Sequence, residues 1–167
     1  KSSLLTIINY DMKTTKIFSL LLIIVLVCGC KKDNWLDWKV QNEIWLQENA
    51  KKDGVVTTPT GLQYKCIETG WDKSARPDDT KIVTIDYTGQ LISGYVFDSS
   101  SKYLGKVSSF VAGFAEGLKK MHQFGVYEFY IPYELGYGLQ GTGSEGSSSF
   151  IPPYSTLIFH IELKDVF

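Results

Sequence analysis

Cysteine and histidine are scarce in this chain of 167 residues: three cysteines, at positions 28, 30 and 66, and two histidines, at 122 and 160. Neither type recurs at a ligand spacing, which excludes a tetrahedral zinc set and a disulfide framework. A surplus of basic charge is missing as well. With 17 Lys and Arg against 18 Asp and Glu the formal net charge is -1, and no Lys/Arg stripe interleaved with aromatics occurs. The electrostatic attraction on which a nucleic-acid binder relies is therefore absent. Only one long apolar run exists, Ile17 to Val27, and it is too short to cross a bilayer of about 30 Å as a permanent helix. What the chain does have is aromatic residues, 14% of the total. At this length one domain is expected.

The apolar run has a different reading. It follows Met12-Lys13-Thr14-Thr15-Lys16, so a basic segment precedes an apolar stretch within the roughly 7–15 residues of a secretory signal. Met12 is the expected start, with residues 1–11 lying upstream of it. Val27-Cys28-Gly29-Cys30 then resembles the bacterial lipobox, whose last cysteine, here Cys30, is lipidated and becomes the new N-terminus. A signal anchor and a plain signal peptide are the alternatives. Several acyl chains on that cysteine would give the stable anchoring that a single chain does not. Lys31 rather than Asp follows Cys30, which for a Gram-negative lipoprotein points to the outer membrane. The expected organisation is residues 1–29 as upstream extension and signal, 30–60 as anchor, short helix and linker, and 61–167 as the folded domain. Cys66, between Lys65 and Ile67, is expected to be a small buried hydrophobe and chemically inert.

Between Asn34 and Ala50 there is neither Gly nor Pro, and Trp35, Trp38, Trp45 and Leu46 fall on one side of a 3.6-residue wheel, predicting a short amphipathic helix. The tryptophan stripe can pack on the domain, pair with another copy, or lie at a membrane interface. Lys51-Lys52-Asp53-Gly54 ends the helix, and Thr57-Thr58-Pro59-Thr60 reads as a linker. From Gly61 onward the pattern changes to strands. Val83, Ile85 and Tyr87 share a face, Val126–Ile131 is aromatic and β-branched, and Leu157, Phe159, Ile161 and Leu163 alternate with residues that include His160, which is placed on the solvent face. One short helix, Phe114–Met121, interrupts them, so the fold class is α+β. Gly141–Ser149, rich in Gly and Ser, is expected to be a mobile loop.

Five ordered blocks carry the functional signal: Val83-Thr84-Ile85-Asp86-Tyr87-Thr88-Gly89; Phe97-Asp98-Ser99-Ser100; the run from Val111 to Met121; Ile131-Pro132-Tyr133-Glu134-Leu135-Gly136-Tyr137-Gly138; and the run from Ile151 to Phe159. In order and spacing they resemble the FKBP-type peptidyl-prolyl cis-trans isomerases, over roughly two-thirds of the chain. Gly54-Val55-Val56 and Thr60-Gly61-Leu62-Gln63-Tyr64 are similar to the macrophage infectivity potentiator-like branch, whose members usually carry a longer, dimerising N-terminal domain.

The resemblance implies a twisted antiparallel half-barrel of five or six strands wrapped around one short helix, preceded here by the N-terminal helix. It implies catalysis of X-Pro rotation and assistance to the folding of exported proteins, with a non-catalytic proline-peptide binding module or chaperone as the alternative. Tyr87, Phe97, Val111 and Phe159 would wall the proline pocket, with Phe114 as its floor. Asp98 and Tyr137 would be polar groups at the rim, Phe110 and the Val111 backbone would flank the peptide, and Phe150 and Ile151 would close the loop side. Proline-containing polypeptides are the implied partners and the family's macrolide inhibitors are candidate ligands; no cofactor, metal or nucleic acid is implied.

Three departures accompany the resemblance. The floor, most often Trp in highly active members, is Phe114. A flanking aromatic expected shortly before Phe110 falls within Tyr103–Val107, with Tyr103 and Gly105 as alternatives. The loop between Gly138 and Phe150 is longer and richer in Gly and Ser than in compact members.

Overall fold

Helix α1 (Asn34–Asn49) is the first element of the computed structural model, which describes residues 34–167. Met12, the apolar run 17–27 and the lipobox with Cys30 lie outside the described residues. The helix has two apolar faces rather than the single one its wheel suggests. Trp38, Trp45 and Leu46 are partly covered and Asn42 and Asn49 fully buried, while Leu36, Val40 and Ile44, four residues apart, are each more than half exposed. The covered face packs on the domain: the Trp45 ring lies 5.7 Å from that of Tyr130, and the Trp38 indole Nε1–H donates to Ser155 Oγ at 2.9 Å.

Six strands follow, β1 (Val55–Thr57), β2 (Gln63–Glu68), β3 (Ile82–Leu91), β4 (Val96–Lys106), β5 (Val126–Ile131) and β6 (Leu157–Val166). They form one antiparallel sheet in the order β1-β2-β5-β6-β3-β4. Strand β1 occupies residues where the sequence suggested only the end of a helix and the start of a linker. A three-residue strand has too little alternation to register as a pattern, and it exists here because β2 pairs with it from Val55–Lys65 to Thr57–Gln63. The alternation in β6 is realised: Leu157, Phe159, Ile161 and Leu163 are buried and His160 is exposed. Cys66 is a correction. It is exposed, near the end of β2, with its Sγ 3.8 Å from Thr69 Oγ1, because the last half of that strand runs out past the core.

Helix α2 (Ala112–Leu118) crosses the concave face of the sheet. It starts two residues earlier and ends three residues sooner than the sequence pattern suggests, with Met121 still fully buried just beyond it. Two glycines explain why a sequence of poor helix propensity sits there. A Cβ at Gly113 would lie 2.5 Å from Ile131 Cγ2, and one at Gly117 2.4 Å from the Phe129 ring, so only glycine lets the helix approach β5 this closely. The approach presses Phe114, Ala115 and Leu118 into a core shared with Val83, Ile85, Phe129 and Ile161.

Gly117→Ala is the direct check. In an exposed helix this change would stabilise by about 1 kcal/mol, but here the added methyl collides with Phe129. The urea midpoint should fall by the equivalent of about 1–3 kcal/mol with an unchanged slope, as in an overpacked core. A rise in midpoint would show that the helix does not depend on this contact.

Candidate active site

Two irregularities in the β3–β4 ladder aim side chains that strict alternation would send to opposite faces. At the first, Gly89 pairs with Asp98 but Gln90 pairs with Val96, so Phe97 is the extra residue and both Phe97 and Asp98 reach the concave side. Opposite them Gly89 has no side chain. A Cβ there would lie 2.6 Å from the Phe159 ring and 2.7 Å from the Phe97 ring, so its absence is what lets the two rings meet edge to face at 5.6 Å. At the second, Ile85 pairs with Tyr103 and Tyr87 with Ser100. The intervening Lys102 has φ 54°, and its N–H donates to Asp86 Oδ1 at 2.6 Å, which holds the Asp86 carboxyl below the usual carboxylate range. This bulge brings Tyr103 beside Tyr87, ring centroids 5.9 Å apart.

The resulting cleft, about 310 Å³, lies between the sheet and the start of α2. Its lining includes Tyr87, Asp98, Phe110, Val111, Phe114, Tyr137 and Phe159, seven residues singled out from the sequence. Phe114 is central. Its ring stacks on Phe110 at 4.7 Å, meets Phe159 perpendicularly at 4.9 Å and touches Tyr87 and Phe129 edge-on. An adjoining cavity of about 300 Å³ shares Asp98, Tyr137 and Phe159 and is walled by Phe97 and Ile151. Phe150 sits apart from both, half-buried with its ring against Trp35 of α1 at 6.0 Å.

Tyr103 and Ser109 also line the cleft. Of the two alternatives for the flanking aromatic the structure selects Tyr103, and it gives Gly105 a different use. A Cβ at Gly105 would lie 2.8 Å from the Tyr103 ring and 2.9 Å from the Phe110 ring, so this glycine makes room for that wall. Gly89 does the same for the opposite wall. Its place in the Tyr87-Thr88-Gly89 run was the available sequence signal, but its purpose depends on a bulge in the partner strand.

Polar groups are confined to the rim. The Tyr87 hydroxyl donates to Asp98 Oδ2 at 2.8 Å. Asp98 is exposed, at the outer end of the bulge. Burial, and then the Asp98 carboxylate, push the Tyr87 phenol well above the usual range, and the same two influences raise that of Tyr137. Among the described residues the Tyr137 hydroxyl has no hydrogen-bond partner, and the residue is 40% exposed. The site thus offers an aromatic basin, one carboxylate already engaged by a phenol, and one phenol held in its donating form.

A half-barrel sheet, a short helix crossing it and an aromatic cleft between them define an FKBP-like domain. The family model described as "FKBP-type peptidyl-prolyl cis-trans isomerase" matches residues 73–164, and one described as "Domain amino terminal to FKBP-type peptidyl-prolyl isomerase" matches residues 32–66. The chain belongs to the FKBP-type peptidyl-prolyl cis-trans isomerase family. It is 43% identical over 132 residues to the probable FKBP-type isomerase FkpA of Neisseria meningitidis serogroup B, covering 77% of this chain and 46% of that protein. To the outer membrane protein MIP of Legionella longbeachae it is 39% identical over 133 residues, covering 77% of this chain and 54% of the relative. The crystal structure of FkpA from Escherichia coli superposes with a TM-score of 0.73 at 32% identity, over 93% of this chain and 71% of that one. The chain spans about half the length of the curated relatives it matches.

The buried phenols carry a pH prediction. Tyr87, Tyr127 and Tyr130 are all raised, chiefly by burial, with Tyr127 pushed up to about 12. An unfolded tyrosine ionises near pH 10. The stability these groups contribute is therefore complete below about pH 10 and is lost as pH rises through the higher folded values. Equilibrium unfolding should show stability declining above about pH 10, and Tyr87→Phe should make that decline shallower. An equally steep decline in the variant would contradict the assignment for Tyr87.

Proposed function

We propose that the chain catalyses cis-trans interconversion of X-Pro bonds in exposed polypeptide segments, with the proline ring seated in the aromatic cleft. The observation that carries this reading is the basin itself: Phe114 at the bottom, in ring contact with Phe110, Phe159 and Tyr87. Rotation about the bond faces a barrier of about 18–20 kcal/mol, because amide resonance is lost at the twisted geometry. The twisted amide is less dipolar than the planar one. Moving it from water into an apolar basin therefore penalises the planar ground state more than the transition state, which is differential binding in the sense that accelerates a reaction.

Each site residue expected from the sequence has a place in this scheme. Tyr87, Phe97, Phe159 and Val111 enclose the ring, Phe114 supports it and Phe110 flanks the peptide. Tyr137 donates its free hydroxyl to a substrate carbonyl, fixing one side of the bond while the other turns. Asp98 acts through Tyr87, whose hydroxyl it holds at 2.8 Å. Ile151 bounds the cavity beyond Phe159, and Phe150 acts from behind the loop through its contact with Trp35. No bond is made or broken, so the scheme calls for no nucleophile, metal or cofactor. The same basin suits the family's macrolide inhibitors.

The location belongs to the same proposal. The lipobox-like Val27-Cys28-Gly29-Cys30 supports cleavage before Cys30 and lipidation of that cysteine, and the similarity to a relative named as an outer membrane protein supports the cell envelope. The domain at residues 61–167 would then work on exported proteins from a lipid tether. Cys30→Ser should leave isomerase activity intact but release the protein from the membrane fraction. Retention there, with no acyl mass on the N-terminal peptide of the wild type, would refute the anchor.

Catalysis is tested with proline tetrapeptides of varied preceding residue. The protein should accelerate cis-to-trans conversion. Tyr137→Phe, which removes one hydrogen bond worth about 0.5–1.5 kcal/mol, should lower kcat/KM by roughly 2- to 10-fold. Phe159→Ala, which opens the basin to water, should lower it further. Undiminished binding of the peptides without any acceleration would leave a binding module in place of an enzyme.

A further inference from the structure

We propose that Trp38 and Asn42 of α1 are positioning residues for the substrate cleft, acting through the long loop between β5 and β6. This rests on the isomerase reading for what the cleft does, but not for how the loop is held. Four contacts run from the helix to one short stretch of that loop. The Trp38 Nε1–H donates to Ser155 Oγ at 2.9 Å, and Ser155 Oγ–H donates onward to the Pro152 carbonyl at 2.7 Å. The Thr156 N–H donates to Asn42 Oδ1 at 2.7 Å, and Asn42 Nδ2–H donates back to the Trp38 carbonyl at 2.8 Å, which fixes the amide's orientation. Asn42, Ser155 and Thr156 are at most 3% exposed; the Thr156–Asn42 bond is buried and the other three are partly buried, so breaking the first leaves a polar group without water to replace its partner. The Trp35 ring meets Phe150, and Lys39 Nζ lies over the Tyr154 ring at 5.9 Å.

The gripped stretch leads straight to the cleft. Ile151, beside Pro152, pairs both its N–H and its carbonyl with Thr142 at 2.9 Å, closing the base of the Gly/Ser segment. The Tyr154 N–H donates to the Gly138 carbonyl at 3.1 Å, next to Tyr137. Ile151 walls the adjoining cavity and Tyr137 lines both cavities. The loop has hydrogen bonds of its own, Thr142 with Ile151 and Tyr154 with Gly138 among them, but much of its backbone is in unusual conformations. Gly138, Gly141, Gly143 and Gly146 all have positive φ, and Tyr154, a non-glycine, is held at φ 62°. A conformation of that kind persists when its surroundings over-determine it, and α1 supplies those surroundings from outside the sheet.

The same helix provides an internal control. Asn49, as buried as Asn42, donates through Nδ2–H to Gln63 Oε1 at 2.9 Å, and Gln63 belongs to β2, away from the loop. Both asparagines are structural; only Asn42 reaches the loop.

The test compares Asn42→Ala, Trp38→Phe and Asn49→Ala, at a temperature where each is folded, by two measurements. The first is the split of kcat and KM with a proline tetrapeptide. The second is backbone amide exchange at Thr142 and Ile151 in the absence of any peptide. Asn42→Ala and Trp38→Phe should raise KM about 5-fold or more with kcat within 2-fold, and should speed exchange at both amides at least 10-fold. Asn49→Ala should move neither by more than 2-fold even where it lowers the melting temperature. Equal effects of Asn42→Ala and Asn49→Ala on KM and exchange, or no effect of either, would overturn the proposal. If the wild type shows no isomerase activity the catalytic reading fails, and the exchange measurement still decides whether α1 holds the loop. Should Asn42→Ala fail to fold, Trp38→Phe, which removes one N–H and keeps an aromatic ring, decides the same question.

Discussion

The perpendicular contact between Phe114 and Phe159, ring centroids 4.9 Å apart, is where helix and sheet meet, and the rest of the molecule is arranged to permit it. Phe159 stands in a row across the sheet with Phe129 of β5, Gly89 of β3 and Asp98 of β4. Phe129 supports Phe114 from one side, and the empty position at Gly89 lets Phe97 close on Phe159 from the other. The helix can lower Phe114 onto this row only because Gly113 and Gly117 remove the methyl groups that would hold it off β5. Three absent side chains thus create one continuous aromatic surface. Close packing of this kind is rigid, so the cleft exists before any ligand arrives.

Rigidity at the floor contrasts with the way the rim is built. Phe114 and Phe159 are nearly fully buried, whereas Tyr137 and Asp98 are exposed, and Tyr137 is carried on a loop outside the sheet. The sheet supplies one wall through cross-strand register, helix α2 supplies the floor through glycine contacts, and the loop is bonded both within itself and to α1. Shape and dryness, which bear on the rotation barrier, are properties of the core. Placement of the hydrogen-bond donor is a property of the periphery. The two can therefore vary separately within one fold.

Much of this was legible in the sequence, and the parts that were not share a cause. Elements whose place follows from local pattern were legible: the alternation in β6 and the aromatic stretch of β5, and seven residues singled out from the sequence line one cleft. Residues whose role depends on a distant partner were not. Strand β1 is defined by its pairing with β2. Gly89 and Gly105 matter because of rings that belong to other positions. Asn42 looks like an ordinary polar residue on a helix until Thr156, 114 positions away, is found donating to it. Cys66 was misplaced for the converse reason: its apolar neighbours suggest a core, but its strand continues beyond the core's edge. Tyr103 could not be chosen over Gly105 without the bulge at Lys102 that turns it inward.

The central claim is that the Phe114–Phe159 basin holds the proline ring while the bond beside it turns. Exchange spectroscopy by nuclear magnetic resonance on a single proline peptide, with selectively labelled phenylalanine rings, addresses both halves at once. The account predicts exchange cross-peaks between cis and trans signals that grow with protein concentration, together with Overhauser contacts from the proline ring protons to Phe114 and Phe159. Accelerated exchange with proline contacts only to residues outside this basin would contradict it.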